Sequence, residues 1–126
     1  MSDATADVLD DAADLIERYG WTVGHYGDEV NGFCSMGAIL RASDHIRLSR
    51  GSVLWEIDDD VTNGAIKALG VQLGCDVTSY GQESVMNRVA FWNDTEAGDK
   101  QVVLDTLRAA AKRLRSDEPI ELGEQP

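Results

Sequence analysis

Cysteine, proline and basic side chains are all scarce in this chain of 126 residues. Cys34 and Cys75 stand 41 positions apart. They are too few for a disulfide scaffold and lack the close pairing of a zinc site or redox motif, so both read as reduced thiols. Both prolines, Pro119 and Pro126, fall near the C-terminus. No apolar run approaches the roughly 20 residues of a membrane span. The first fourteen residues alternate Asp with Ala and Val where a signal peptide would be basic and then apolar. The expected location is the cytoplasm. Only 11 Lys and Arg oppose 23 Asp and Glu, for a net charge of -12. A nucleic-acid reader needs a clustered basic surface, so direct nucleic-acid binding is not expected, nor is a membrane.

What is present describes one acidic domain. A chain of this length buries roughly two-thirds of the surface its unfolded form exposes, enough to hold a core without metal or disulfides. Residues 1–60 hold 13 acids and 4 bases, residues 61–115 hold 6 acids and 7 bases, and residues 116–126 hold 4 acids and no base. The basic cluster Lys112, Arg113 and Arg115 reads as the end of a helix, facing the negative pole of its dipole.

The periodicity predicts a mainly α fold: a bundle of about five helices over residues 1–115, with room for a short β-hairpin and an acidic, disordered tail over 116–126. From Ala4 to Tyr19, Val8, Leu9, Ala12, Leu15, Ile16 and Tyr19 form one stripe. Asp3, Asp7, Asp10, Asp14 and Glu17 form the opposite face, and Gly20 is placed to end the helix. Trp21 to Gly32 carries loop or hairpin chemistry in Gly24, Gly27, Asn31 and Gly32. Phe33–Ala42 reads as a second helix with small residues Cys34, Gly37 and Ala38 that admit a close neighbour. Asp44–Ile57 alternates well enough for a hairpin turning at Arg50 and Gly51, although a short buried helix also fits. Asp58, Asp59 and Asp60 open a helix to Leu73, stopped by Gly74. Glu83–Trp92 is apolar on nearly all sides, as a central helix would be, and a last helix spans about Asp99 to Arg115.

His25, Cys34, His45 and Cys75 lack the paired spacing of zinc ligands. A calcium loop starting at Asp58 would need Gly where Asn63 stands and Glu where Leu69 stands. Ser35 and Ser52 lie in no nucleophile turn, and Cys34, flanked by apolar residues, reads as a small buried hydrophobe. No catalytic residue, metal or cofactor is therefore assigned. The sharpest surface feature is the carboxylate row Asp7, Asp10, Asp14 and Glu17, with only Arg18 nearby to offset it. It reads either as a solvated face or as a binding surface for a basic partner.

Four local features occur together: Leu15 and Ile16 before Gly20 and Trp21; Cys34 followed by Gly37 and Ala38; Trp92, Asn93 and Asp94 closing an apolar helix; and Ala109 to Ala111 in the last helix. Together they resemble a family of small uncharacterised proteins of actinobacteria and their phages. Residues 43–80 carry none of that pattern, and the family implies no chemistry. Arg outnumbering Lys eight to three fits a GC-rich genome. The resulting expectation is a non-enzymatic interaction protein binding a host or cellular protein. A DNA-mimic inhibitor and a small enzyme, with a site where the Trp21–Gly32 loop meets the Trp92–Asp94 turn, are the alternatives. Leu54, Trp55 and Ile57 leave room for a homodimer.

Overall fold

The computed structural model describes residues 2–49, 59–75 and 82–120. In chain order these form α1 (Ser2–Tyr19), β1 (Gly27–Asp28), β2 (Gly32–Phe33), α2 (Ser35–Ser49), α3 (Asp59–Gln72), α4 (Gln82–Phe91), a π-turn (Trp92–Glu96) and α5 (Lys100–Ile120). The protein is mainly α, with five helices and a two-stranded antiparallel hairpin among the described residues.

α1 packs against α5, α2 and α3. Its amphipathic stripe explains why: Ala6, Val8, Leu9, Ala12, Ala13 and Ile16 are all fully buried. The three alanines keep that face thin, so neighbouring helices can approach closely. α5 answers with Val103, Leu104, Leu107, Ala110 and Ala111, α2 with Met36, Ala38, Ile39 and Ala42, and α3 with Ala65, Ile66 and Leu69. Each buried Leu or Ile contributes about 1.5–3 kcal/mol relative to exposure. Among the described residues, no helix is long and apolar enough to cross a membrane.

Five expectations need correction. The hairpin is not at Asp44–Ile57: residues 44–49 continue α2, and 50–57 lie outside the described residues. No Gly or Pro interrupts the chain between Gly37 and Gly51, so nothing stops the helix there. The hairpin instead joins Gly27 to Phe33 and Asp28 to Gly32 in the glycine-rich loop. Phe33 accordingly lies on β2, and α2 starts two residues later. α4 is buried on one side through Val85 and Val89, whereas Phe91 is 55% exposed, so it is not enclosed all round. α5 runs on to Ile120, five residues past Arg115, so Ser116 does not begin an irregular tail; residues 121–126 lie outside the described residues. Lys112, Arg113 and Arg115 consequently do not sit in the last turn of that helix.

Candidate functional site: a latched loop and its groove

The loop after α1 and the π-turn after α4, 70 residues apart from Gly24 to Asp94, are fastened together by two adjacent side chains, Asn93 and Asp94. Gly20 (φ 109°) ends α1, its amide bonding to Ile16 O at 2.8 Å. The chain then runs beside β2, with Phe33 N donating to Gly20 O (2.8 Å) and Thr22 N to Phe33 O (3.1 Å). That pairing brings Trp21 over Asn93, which is 1% exposed. Asn93 Oδ1 accepts from Trp21 Nε1 (2.8 Å), Ser35 N (3.0 Å) and Ser35 Oγ (2.7 Å). Its Nδ2 donates to Thr22 O (3.1 Å) and to Asp94 Oδ1 (3.0 Å). The orientation of the amide is unambiguous, because an indole and a backbone amide only donate while a backbone carbonyl and a carboxylate only accept. Asp94 Oδ1 also accepts from Gly24 N at 3.1 Å, tying the loop down a second time.

Cys34 belongs to the same junction. Its amide donates to Tyr26 O (3.1 Å), and its sulfur accepts from Gly37 N at 3.3 Å in the first turn of α2. Burial pushes the thiol above its ordinary value of 9.0, outweighing the backbone donors that pull it down. Cys34 is therefore a protonated, weakly nucleophilic thiol at neutral pH. Alkylation of the native protein near neutral pH is expected to label half-buried Cys75 well before Cys34, which is 6% exposed. Peptide mapping by mass spectrometry checks the order; early labelling of Cys34 would contradict the burial. Stability should also fall as pH rises above 9.0, where the unfolded thiol ionises and the folded one does not.

Outside this latch lies a groove of about 390 Å³ lined by Gly24, His25, Tyr26, Cys34, Met36, Ala90 and Asp94. It is at the small end of the roughly 300–1,000 Å³ of ligand pockets. Tyr26 (58% exposed) and Ala90 form part of its wall, with Val23 (44% exposed) and Phe91 next to lining residues in sequence. The hairpin tip is stiffened by Asp28, whose Oδ1 accepts from Val30 N (2.9 Å) and Asn31 N (2.7 Å); these donors lower its pKa. A second hollow, about 310 Å³, lies between α1 and α2. Within it Arg41 pairs with Glu29 at 2.9 Å, and the Arg18 guanidinium sits 5.3 Å from the Tyr19 ring centroid.

The four sequence-predicted binding residues lie together along α1, but they do not face solvent unopposed. Arg115 pairs with Asp7 (2.8 Å) and Asp10 (2.5 Å), and Arg108 with Asp14 (3.2 Å) and Glu17 (2.7 Å). Two guanidiniums on α5 thus halve the charge of the row, a compensation the local sequence, with Arg18 alone, does not reveal. Glu17 foremost, then Asp14, raises the pKa of Arg108, and Asp10 then Asp7 that of Arg115. All these side chains are more than a third exposed, so solvent and salt screen them. Arg108→Ala and Arg115→Ala are each expected to cost about 1 kcal/mol or less, shrinking with added salt. Urea unfolding at two ionic strengths measures this; a salt-independent loss would contradict it.

Ser35, weighed as a nucleophile, is fully buried with its hydroxyl on Asn93. Among the described residues, no three His, Cys, Asp or Glu side chains converge as metal ligands would. The sequence marks Asn93 and Asp94 as turn residues after Trp92; the hub depends on contacts with Trp21, Thr22 and Ser35 that no local pattern shows.

The fold and site define a small helical protein built around its first helix, with a glycine-rich loop latched to a π-turn beside a shallow groove. Its family model matches residues 1–113, and the chain belongs to the family of unknown function DUF6197. No curated protein and no solved structure matches it.

Proposed function

We propose that the protein is a small, acidic, non-enzymatic interaction protein that binds a host or cellular protein in the cytoplasm of an actinobacterium, encoded by the bacterium or by an infecting phage. The observation that carries this reading is the exposed apolar rim of the latched junction: Tyr26, Phe91 and Val23 are 58, 55 and 44% exposed on segments that Asn93 and Asp94 hold in place. Aromatic side chains on a preorganised surface bury much area at little entropic cost, which is why they anchor interfaces. The net charge of -12 would steer a basic partner towards them.

The groove also holds Cys34, His25 and Asp94, the residue types of a thiol enzyme. A thiol pushed up by burial is poorly suited to attack, so the same groove favours binding over nucleophilic chemistry. The carboxylate row of α1, with Arg108 and Arg115 across it, fits a DNA mimic poorly, because mimicry needs unopposed negative charge.

Affinity capture with the native protein and a Tyr26→Ala/Phe91→Ala variant, compared by quantitative mass spectrometry at moderate salt, tests the reading. A partner should be recovered by the native protein and reduced at least about tenfold by the variant, as loss of interface anchors implies. Equal recovery by both would move the interface elsewhere, and no enriched protein would remove the reading.

A further inference from the structure

We infer that the groove between the latched loop and α4 receives an arginine side chain from a basic segment of the protein partner. This rests on the interaction reading above and names what the groove takes. Its lining combines the three kinds of surface that such a side chain needs: apolar, aromatic and anionic. Met36, Cys34 and Ala90 offer an apolar lining for the methylene stem, while Tyr26 and His25 offer aromatic rings. A guanidinium is planar and weakly hydrated, and it stacks on such rings more readily than an ammonium does.

The decisive group is Asp94. Its Oδ1 is held by Gly24 N and Asn93 Nδ2, which fixes the carboxylate in place. Its Oδ2 has no hydrogen-bond partner among the described residues, and the residue itself, exposed to solvent, is one of those that line the groove. A fixed carboxylate with one committed oxygen and one open oxygen is a preorganised acceptor for a cation, and charge-assisted bonds of this kind exceed neutral ones. The -12 charge of the chain favours a basic partner over an acidic one. The small volume suits one side chain better than a large cofactor.

The test is a titration of the isotopically labelled full chain with N-acetyl-arginine amide, followed by amide NMR, against N-acetyl-norleucine amide as an uncharged probe of similar stem. Saturable shifts should centre on Gly24, His25, Tyr26, Asp94 and the Trp21 indole, with the norleucine probe clearly weaker. Asp94→Asn keeps an Oδ1 for both existing donors and removes only the charge, so the fold should persist; affinity should fall about threefold to tenfold. Tyr26→Ala, whose backbone carbonyl still serves Cys34, should weaken binding about threefold. Absence of saturable shifts, an equal response to norleucine, or unchanged affinity in Asp94→Asn overturns the assignment. The two proposals fail separately. A captured partner indifferent to Asp94→Asn removes the arginine groove and leaves the interaction function; arginine-probe binding with no partner recovered removes the interaction function and leaves the groove.

Discussion

Asn93→Ala is expected to lose about 3–5 kcal/mol of stability, a large share of what a domain of this size possesses. The amide serves four groups: the Trp21 indole, the Ser35 amide, the Ser35 hydroxyl and the Thr22 carbonyl. A buried group left unsatisfied costs about 1–3 kcal/mol, and the hydroxyl alone can rotate to find another acceptor. Ser35→Ala, which removes one bond and leaves Asn93 with two other donors, should cost only about 1 kcal/mol. Urea unfolding followed by tryptophan fluorescence reports both, since Trp21 is itself part of the network. An Asn93→Ala loss no larger than that of Ser35→Ala would show that water replaces the amide and that the latch is not rigid.

Asn93→Asp separates shape from hydrogen-bond polarity. A carboxylate keeps the three donors to Oδ1 but presents an acceptor to Thr22 O and a like charge to Asp94, whose Oδ1 is 3.0 Å from the present amide nitrogen. Burial and like charge both raise the folded-state pKa of the new acid. The destabilisation should therefore grow as pH rises through the ordinary carboxylate range and be relieved below it, where the acid is protonated in both states. A loss independent of pH would point to sterics in place of charge.

How much of this was legible in the sequence depends on the range of the interaction. α1 and α5 carry their apolar stripes on their surface pattern, and Gly20 and Gly74 end helices with φ of 109° and 85°, as their positions imply. The alternation of Ile46 and Leu48 misled, because residues 44–49 have no breaker ahead of them and α2 simply continues. The junction of the loop with the turn after α4 was anticipated as a place, but not as chemistry. Asn93 and Ser35 are 58 residues apart, and Arg115 and Asp7 are 108 apart. No local pattern connects them; only the packing of α1 against α5 and of α2 against α4 does.

Gly37→Ala is the second large effect, and its sign runs against helix propensity. Alanine in a helix interior is ordinarily better than glycine by about 1 kcal/mol. At position 37 a methyl group would overlap the Tyr26 carbonyl oxygen and lie 2.8 Å from its carbon and 3.0 Å from Tyr26 Cα. These are backbone atoms, pinned because Cys34 N donates to that same carbonyl, so neither side can yield without breaking the junction. The substitution should therefore cost about 2–4 kcal/mol net of the propensity gain. It should also shift the amide resonances of Tyr26 and Cys34. Gly64→Ala in α3 is the matched control, because the nearest atoms to its new methyl are those of the Thr5 side chain, at 3.3 Å, and no backbone is among them, so a shift of a few tenths of an ångström by Thr5 would admit it. That variant should be neutral or up to about 1 kcal/mol more stable. Thermal or urea unfolding of the two alanine variants side by side gives the answer: opposite signs mean that Gly37 exists to let the loop lie against α2, the spacing that holds Tyr26 at the groove. Equal signs would mean that the loop yields, and that the groove it borders has no fixed shape for a partner to recognise.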